Sequence, residues 1–83
     1  MNTIWVVPIS PIVGTHHVRL RKDAYVLSVG LSNGNLMVYA IVDPDEAVHD
    51  FEIVIAGVGD PLPLDGALRF LNRVEEWHVF VRL

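Results

Sequence analysis

The chain has no cysteine, only six basic residues among 83, and no apolar run long enough to cross a bilayer. Without cysteine there are no disulfides, no thiolate zinc centre and no thiol nucleophile, a pattern that fits a reducing compartment. A membrane helix needs about 18 consecutive apolar residues, and Pro8 and Pro11 interrupt the N-terminal stretch well before that. Met1–Val7 also lacks the basic segment that opens a secretory leader, so a cytoplasmic location is expected. Positive charge is scarce: six Lys and Arg face ten Asp and Glu, for a net charge of −4. Direct nucleic-acid binding is therefore not expected, because neutralising phosphates takes a basic stripe.

What is present is apolar. Hydrophobic residues make up 52% of the chain and charged ones 19%, against roughly 25% charged in ordinary domains. A single domain over residues 1–83 buries only about 60–65% of its unfolded surface. With disulfides excluded, a small domain finds further stability in a metal or a partner chain. More apolar surface than one thin layer can hide points to self-association, as a dimer or a higher oligomer.

The hydrophobic pattern has the period of strands almost throughout. Thr3–Val7 is a β-branched and aromatic run, read as ending at Pro8. His17–Leu20 alternates, with Val18 and Leu20 on one face and His17, Arg19 and Arg21 on the other. Ala24–Leu31 and Leu36–Val42 flank Ser32-Asn33-Gly34-Asn35, a strong hairpin signal because a type I′ turn needs positive φ at both central residues. Alternation in the first of these strands sets Tyr25, Leu27, Val29 and Leu31 against Ala24, Val26, Ser28 and Gly30. Leu36–Val42 is apolar on both faces, which predicts a central strand buried on both sides. His49–Ala56 places Phe51, Ile53 and Ile55 opposite Asp50 and Glu52. Ala67–Val74 is read as a strand in preference to a helix, since Phe70 and the closing run need a neighbour. Trp77, Val79, Val81 and Leu83 alternate with His78, Phe80 and Arg82. Six or seven short strands with short connections predict an all-β fold, a small antiparallel β-sandwich or open barrel.

Chemistry is thinly represented. His16, His17, His49 and His78 lack metal-ligand spacing, and no metal or cofactor is expected. Asp43 and Asp45 flank Pro44 as turn residues. With no thiol, no P-loop and no G-x-S-x-G elbow read in the chain, catalysis is not expected. The loop Gly57-Val58-Gly59-Asp60-Pro61-Leu62-Pro63 is read as a rigid connector. Its alternative, an anion-binding nest of backbone N–H groups at Gly57 and Gly59, is opposed by Asp60. Trp5, Tyr39, Phe51, Phe70, Trp77 and Phe80 are read as mostly core, with Tyr39 or Phe80 facing a partner. Arg19, Arg21 and Lys22 beside His16 and His17 form the basic cluster, a solvated strand end.

The stretch from Ala24 to Phe80 resembles a family of small phage- and prophage-type β-domain proteins. The resemblance rests on Ser28-Val29-Gly30, Asn33-Gly34, Leu36, Tyr39-Ala40, Val42-Asp43-Pro44 and Phe51-Glu52-Ile53. The Gly57–Pro63 loop and Trp77-His78-Val79-Phe80 complete it. Tyr39 stands where a tryptophan is frequent, and Gly57-Val58-Gly59-Asp60 where Gly-Thr-Gly-His is frequent. The N-terminal third shows no such match. The resemblance brings no established activity. It implies an accessory protein in a bacterial host cytoplasm, binding and inhibiting or modulating a host protein. Two alternatives stand beside it. One is a sponge for a nucleotide-type signal bound where subunits meet, with His17, Arg19 and Arg21 on phosphates and Tyr39 or Phe80 on the base. The other is a minor virion structural component.

Overall fold

The computed structural model describes residues 1–63 and 65–83. Seven strands follow one another: β1 (Thr3–Ile9), β2 (Gly14–Arg21), β3 (Tyr25–Ser32), β4 (Asn35–Val42), β5 (Val48–Ala56), β6 (Leu68–Val74) and β7 (Trp77–Arg82). They form two antiparallel sheets, β1-β4-β3 and β2-β5-β7-β6. This is the predicted all-β sandwich, and 67–74 is indeed strand from Leu68 onward. Among the described residues there is no helix, hence none long and apolar enough to cross a membrane.

The β3–β4 hairpin turns where Asn-Gly predicts, with φ of 52° at Asn33 and 79° at Gly34 and Ser32 opposite Asn35. Leu36, Val38, Ala40 and Val42 of β4 meet Ile53, Ile55, Val79 and Val81 in the gap between the sheets, all essentially buried. The core centre is aliphatic, which corrects the reading of the aromatics as core. Trp5, Phe51 and Trp77 only pack against its margin, and Tyr39 and Phe70 are exposed on outer faces. Two sheets about 10 Å apart are filled at their centre by β-branched side chains, so the larger rings sit at the open rims.

Three further expectations change. β1 runs through Pro8, opposite Met37, to Ile9. It is an edge strand, where proline's missing N–H breaks no second ladder. In β3 the register slips between Val26 and Ser28, leaving Leu27 as an extra residue. One inserted residue reverses the face of all that follow, so Val26 and Val29 both point inward while Tyr25 and Leu27 are exposed. Finally, β4 is central in its sheet as predicted, but it is not buried on both sides. Tyr39 is 37% exposed and Met37 and Ile41 are only half-buried, because no described element packs over the outer face of this sheet.

A side-chain clamp joins the sheets along one side. Asn72 of β6 accepts the Val29 N–H at 2.9 Å and donates to the Val29 carbonyl at 2.8 Å. Arg69 donates to the Val26 carbonyl at 2.6 Å. A carboxamide carries the same donor and acceptor as a peptide unit, so Asn72 satisfies the edge of β3 as another strand would. The opposite side, between β1 and β2, has no such joint.

β5 and β6 both run antiparallel to β7 and are therefore parallel to each other. The chain between Ala56 and Leu68 must return the length of the sheet. Val54 and Ala56 point outward yet are almost fully buried, and on the same face Asp65 reaches the outward Arg82 at 3.3 Å.

Candidate functional site

The two sheets divide the chemistry unequally. β1, β3 and β4 contain no charged residue at all, whereas every arginine lies in the four-stranded sheet. The outer face of the three-stranded sheet presents Ile4, Val6, Met37, Tyr39, Ile41 and Tyr25, with Ile4 62%, Val6 47% and Tyr25 55% exposed. Gly30 sits beside Tyr39, where an added Cβ would lie 3.6 Å from the ring. The tyrosine therefore lies flat across its neighbour strand.

The basic cluster occupies the outer face of β2. His17 Nδ1 donates to Asp50 Oδ2 of β5 at 2.7 Å. This hydrogen bond and the charge of Asp50, with Glu52 adding to it, raise the His17 pKa above its ordinary value of 6.5. Arg19 lies opposite Asp50 in register, but the Asp50 carboxylate is engaged by His17. Arg21 donates to the Glu46 carbonyl at 3.1 Å, and its guanidinium carbon lies 5.5 Å from the centroid of the Trp5 ring. Among the described residues neither Arg19 nor Arg21 has a carboxylate within 4.0 Å; Arg82, bridging Glu52 and Asp65, is the arginine that does.

The remaining candidates lie apart. Tyr39 is on the outer face of the other sheet from the basic cluster. Phe80 packs edge-on against Phe70, centroids 5.4 Å apart. It pairs with Val54, four residues along β5 from Asp50, the partner of Arg19. That is about 13 Å along the strand and two strand spacings of about 4.8 Å across. Neither aromatic therefore shares a pocket with Arg19 and Arg21 within one protomer. Gly57, Gly59 and Asp60 form a closed turn. The Asp60 N–H donates to the Gly57 carbonyl at 3.1 Å, and Asp60 Oδ2 accepts the Gly57 N–H at 2.9 Å. Gly59 supplies the positive φ of 92°. The acid of the loop itself thus occupies a donor that an anion would need.

One motif read as absent is in fact spelled out in the chain. Gly30-Leu31-Ser32-Asn33-Gly34 spells the G-x-S-x-G of a nucleophile elbow. An elbow needs a strand-to-helix turn, and here a second strand follows, with Ser32 opposite Asn35. Trp5 also went unnoticed beside the basic cluster. It arrives there because the chain doubles back through residues 10–13, laying β1 of one sheet beside β2 of the other.

Comparison with known proteins decides the family. The chain belongs to the domain of unknown function DUF7352, whose family model matches residues 1–83. The match takes in the N-terminal third, and so β1 and the basic strand β2. No curated protein and no solved structure matched the chain.

Proposed function

We propose that this chain is a non-catalytic binding domain that self-associates through the outer face of its three-stranded sheet. The observation that carries the reading is that this face is apolar and exposed and that none of its own residues is charged; the cation near it, the Arg69 guanidinium, lies 4.5 Å from the centroid of the Tyr25 ring at the β3 edge. A two-fold contact sets the same patch of both copies together, so a charge on it is buried unless the patch also presents an opposite charge at the matching position. Of the two broad faces, the four-stranded one would bury arginines and carboxylates in such a contact, at a desolvation cost of several kcal/mol. The uncharged face has no such cost.

Its footprint sets the strength. Three strands of 7 or 8 residues cover about 25 Å by 14 Å. This is below the roughly 800 Å² per partner of a standard stable interface. A dimer with a dissociation constant in the micromolar range, about 1–100 μM, is the expected scale. Such a dimer leaves both arginine-bearing sheets outward. In keeping with the resemblance to phage- and prophage-type proteins, these outward sheets would engage and modulate a host protein.

Sedimentation equilibrium across a wide concentration range tests the first step. The reading predicts a monomer–dimer equilibrium that Val6→Glu abolishes while the circular dichroism stays that of a β-protein. A wild-type chain that remains monomeric at millimolar concentration would contradict it.

A further inference from the structure

Among the described residues, three open clefts of similar size have linings that differ in one decisive respect. The cleft between the sheets near Tyr25 and Arg69, about 330 Å³, includes Asp50 and Glu52. The cleft near Trp77 and Arg73, about 430 Å³, includes Asp60 and Glu76. The third, about 390 Å³, is lined by Trp5, Arg19, Leu20, Arg21 and Val48, with two cations and no carboxylate. All three volumes fall in the range of small-ligand sites. Only the third has the charge to attract an anion.

Its parts are under-used by the fold. Arg21 spends one of its five N–H donors, on the Glu46 carbonyl, and its Nε is buried with no hydrogen-bond partner. An unsatisfied buried donor in a folded protein calls for an explanation. Arg19 is exposed, with no carboxylate within 4.0 Å among the described residues. Trp5 is half-buried, and together with Leu20 and Val48 it gives the cleft flat apolar walls beside the two guanidinium groups. The cleft lies on the side of the sandwich where β1 and β2 are not joined, away from the outer face of the three-stranded sheet, so self-association there leaves it accessible.

We infer that this cleft binds an organic phosphate carrying a flat ring, of the kind a nucleoside monophosphate represents. Arg19 and Arg21 hold the phosphate, since guanidinium groups match its oxygens in charge and geometry. Trp5 supplies the surface for the ring. Phosphate is favoured over a single carboxylate because two uncompensated cations flank the same opening.

Two-dimensional NMR with adenosine 5′-monophosphate, adenosine and inorganic phosphate as separate probes tests this. The monophosphate is expected to shift the Trp5 indole N–H, assigned with Trp5→Phe, and the amides of Arg21 and Val48. These shifts should saturate with a dissociation constant of about 1 mM or tighter. Adenosine and inorganic phosphate should each bind about tenfold more weakly, because each fills half of the site. Arg19→Ala and Arg21→Gln should each weaken the monophosphate by about fivefold or more. Arg19→Ala is exposed and leaves the fold intact, which keeps that arm interpretable. The inference is overturned if the monophosphate gives no saturating shift, if the arginine variants bind it as tightly as wild type, or if inorganic phosphate alone binds equally well.

Discussion

The two sheets of this sandwich share a core and little else. The three-stranded sheet has no charged residue of its own on either face and is held by aliphatic burial and by the Asn72 and Arg69 hydrogen bonds to the edge of β3. The four-stranded sheet has the same aliphatic inner face, but outside it carries arginines and carboxylates, and its outward Val54 and Ala56 are buried. The difference teaches where a domain of this size puts its unmet needs. One sheet presents charge on its outer face. The other has an apolar face that no described residue covers, and under the proposed reading a second copy would cover it at little cost in buried charge.

That contrast can be broken most directly by introducing charge. Val6→Glu or Tyr39→Lys on the uncharged face should weaken self-association by about 100-fold or more, read by sedimentation, because a lone charge is then buried against its own copy. Thr15→Lys, on the outer face of β2, should leave association unchanged. The joint between the sheets is the next target. Asn72→Ala removes both partners of Val29 and should cost about 2–3 kcal/mol in urea unfolding, since a half-buried N–H and C=O lose their hydrogen bonds together. The same change should speed hydrogen exchange at Val29.

Electrostatics of the charged sheet gives a smaller effect with a definite sign. His17 is held by Asp50, and its pKa is raised in the folded state. The stabilisation this pair provides is fully present below the unfolded value near 6.5 and is lost as pH rises through the higher folded value. In Asp50→Asn the His17 titration should move down, and stability should become less dependent on pH across that window, as followed by NMR and by unfolding at several pH values. The smallest effect concerns backbone strain. Glu75 holds a φ of 54° in the turn between β6 and β7, a region that disfavours side chains. Glu75→Gly should stabilise by about 0.5–1 kcal/mol in thermal unfolding. A neutral or destabilising result would mean that Glu75 gains more from its surroundings than its backbone loses.

Much of this architecture is visible in the residues themselves. Asn33-Gly34 marks its hairpin, and alternation in β5 and β7 puts Ile53, Ile55, Val79 and Val81 inward as found. What escapes is whatever depends on a single extra residue or on a distant neighbour. The extra residues at Leu27 in β3 and Leu71 in β6 have no compositional mark, yet the first reverses the predicted faces of Tyr25–Leu31. Asn72 is a lone amide between Leu71 and Arg73, and only the approach of β3 reveals its purpose. The apolar outer face of β4 reads the same whether an element of the same chain or a second copy covers it. Of the proposed contact residues, His17, Arg19 and Arg21 do share one strand face. Their aromatic companion is Trp5, brought in by the turn at residues 10–13, and neither Tyr39 nor Phe80 lies beside them.

The most direct test of the uncharged face is a soluble paramagnetic probe added to concentrated protein. Methyl signals of Ile4, Val6, Met37 and Ile41 should be shielded from broadening at high protein concentration and exposed to it on dilution, while Val48 broadens equally in both. If the four methyls broaden alike at every concentration, this face stays open to solvent and the account of the two sheets is wrong.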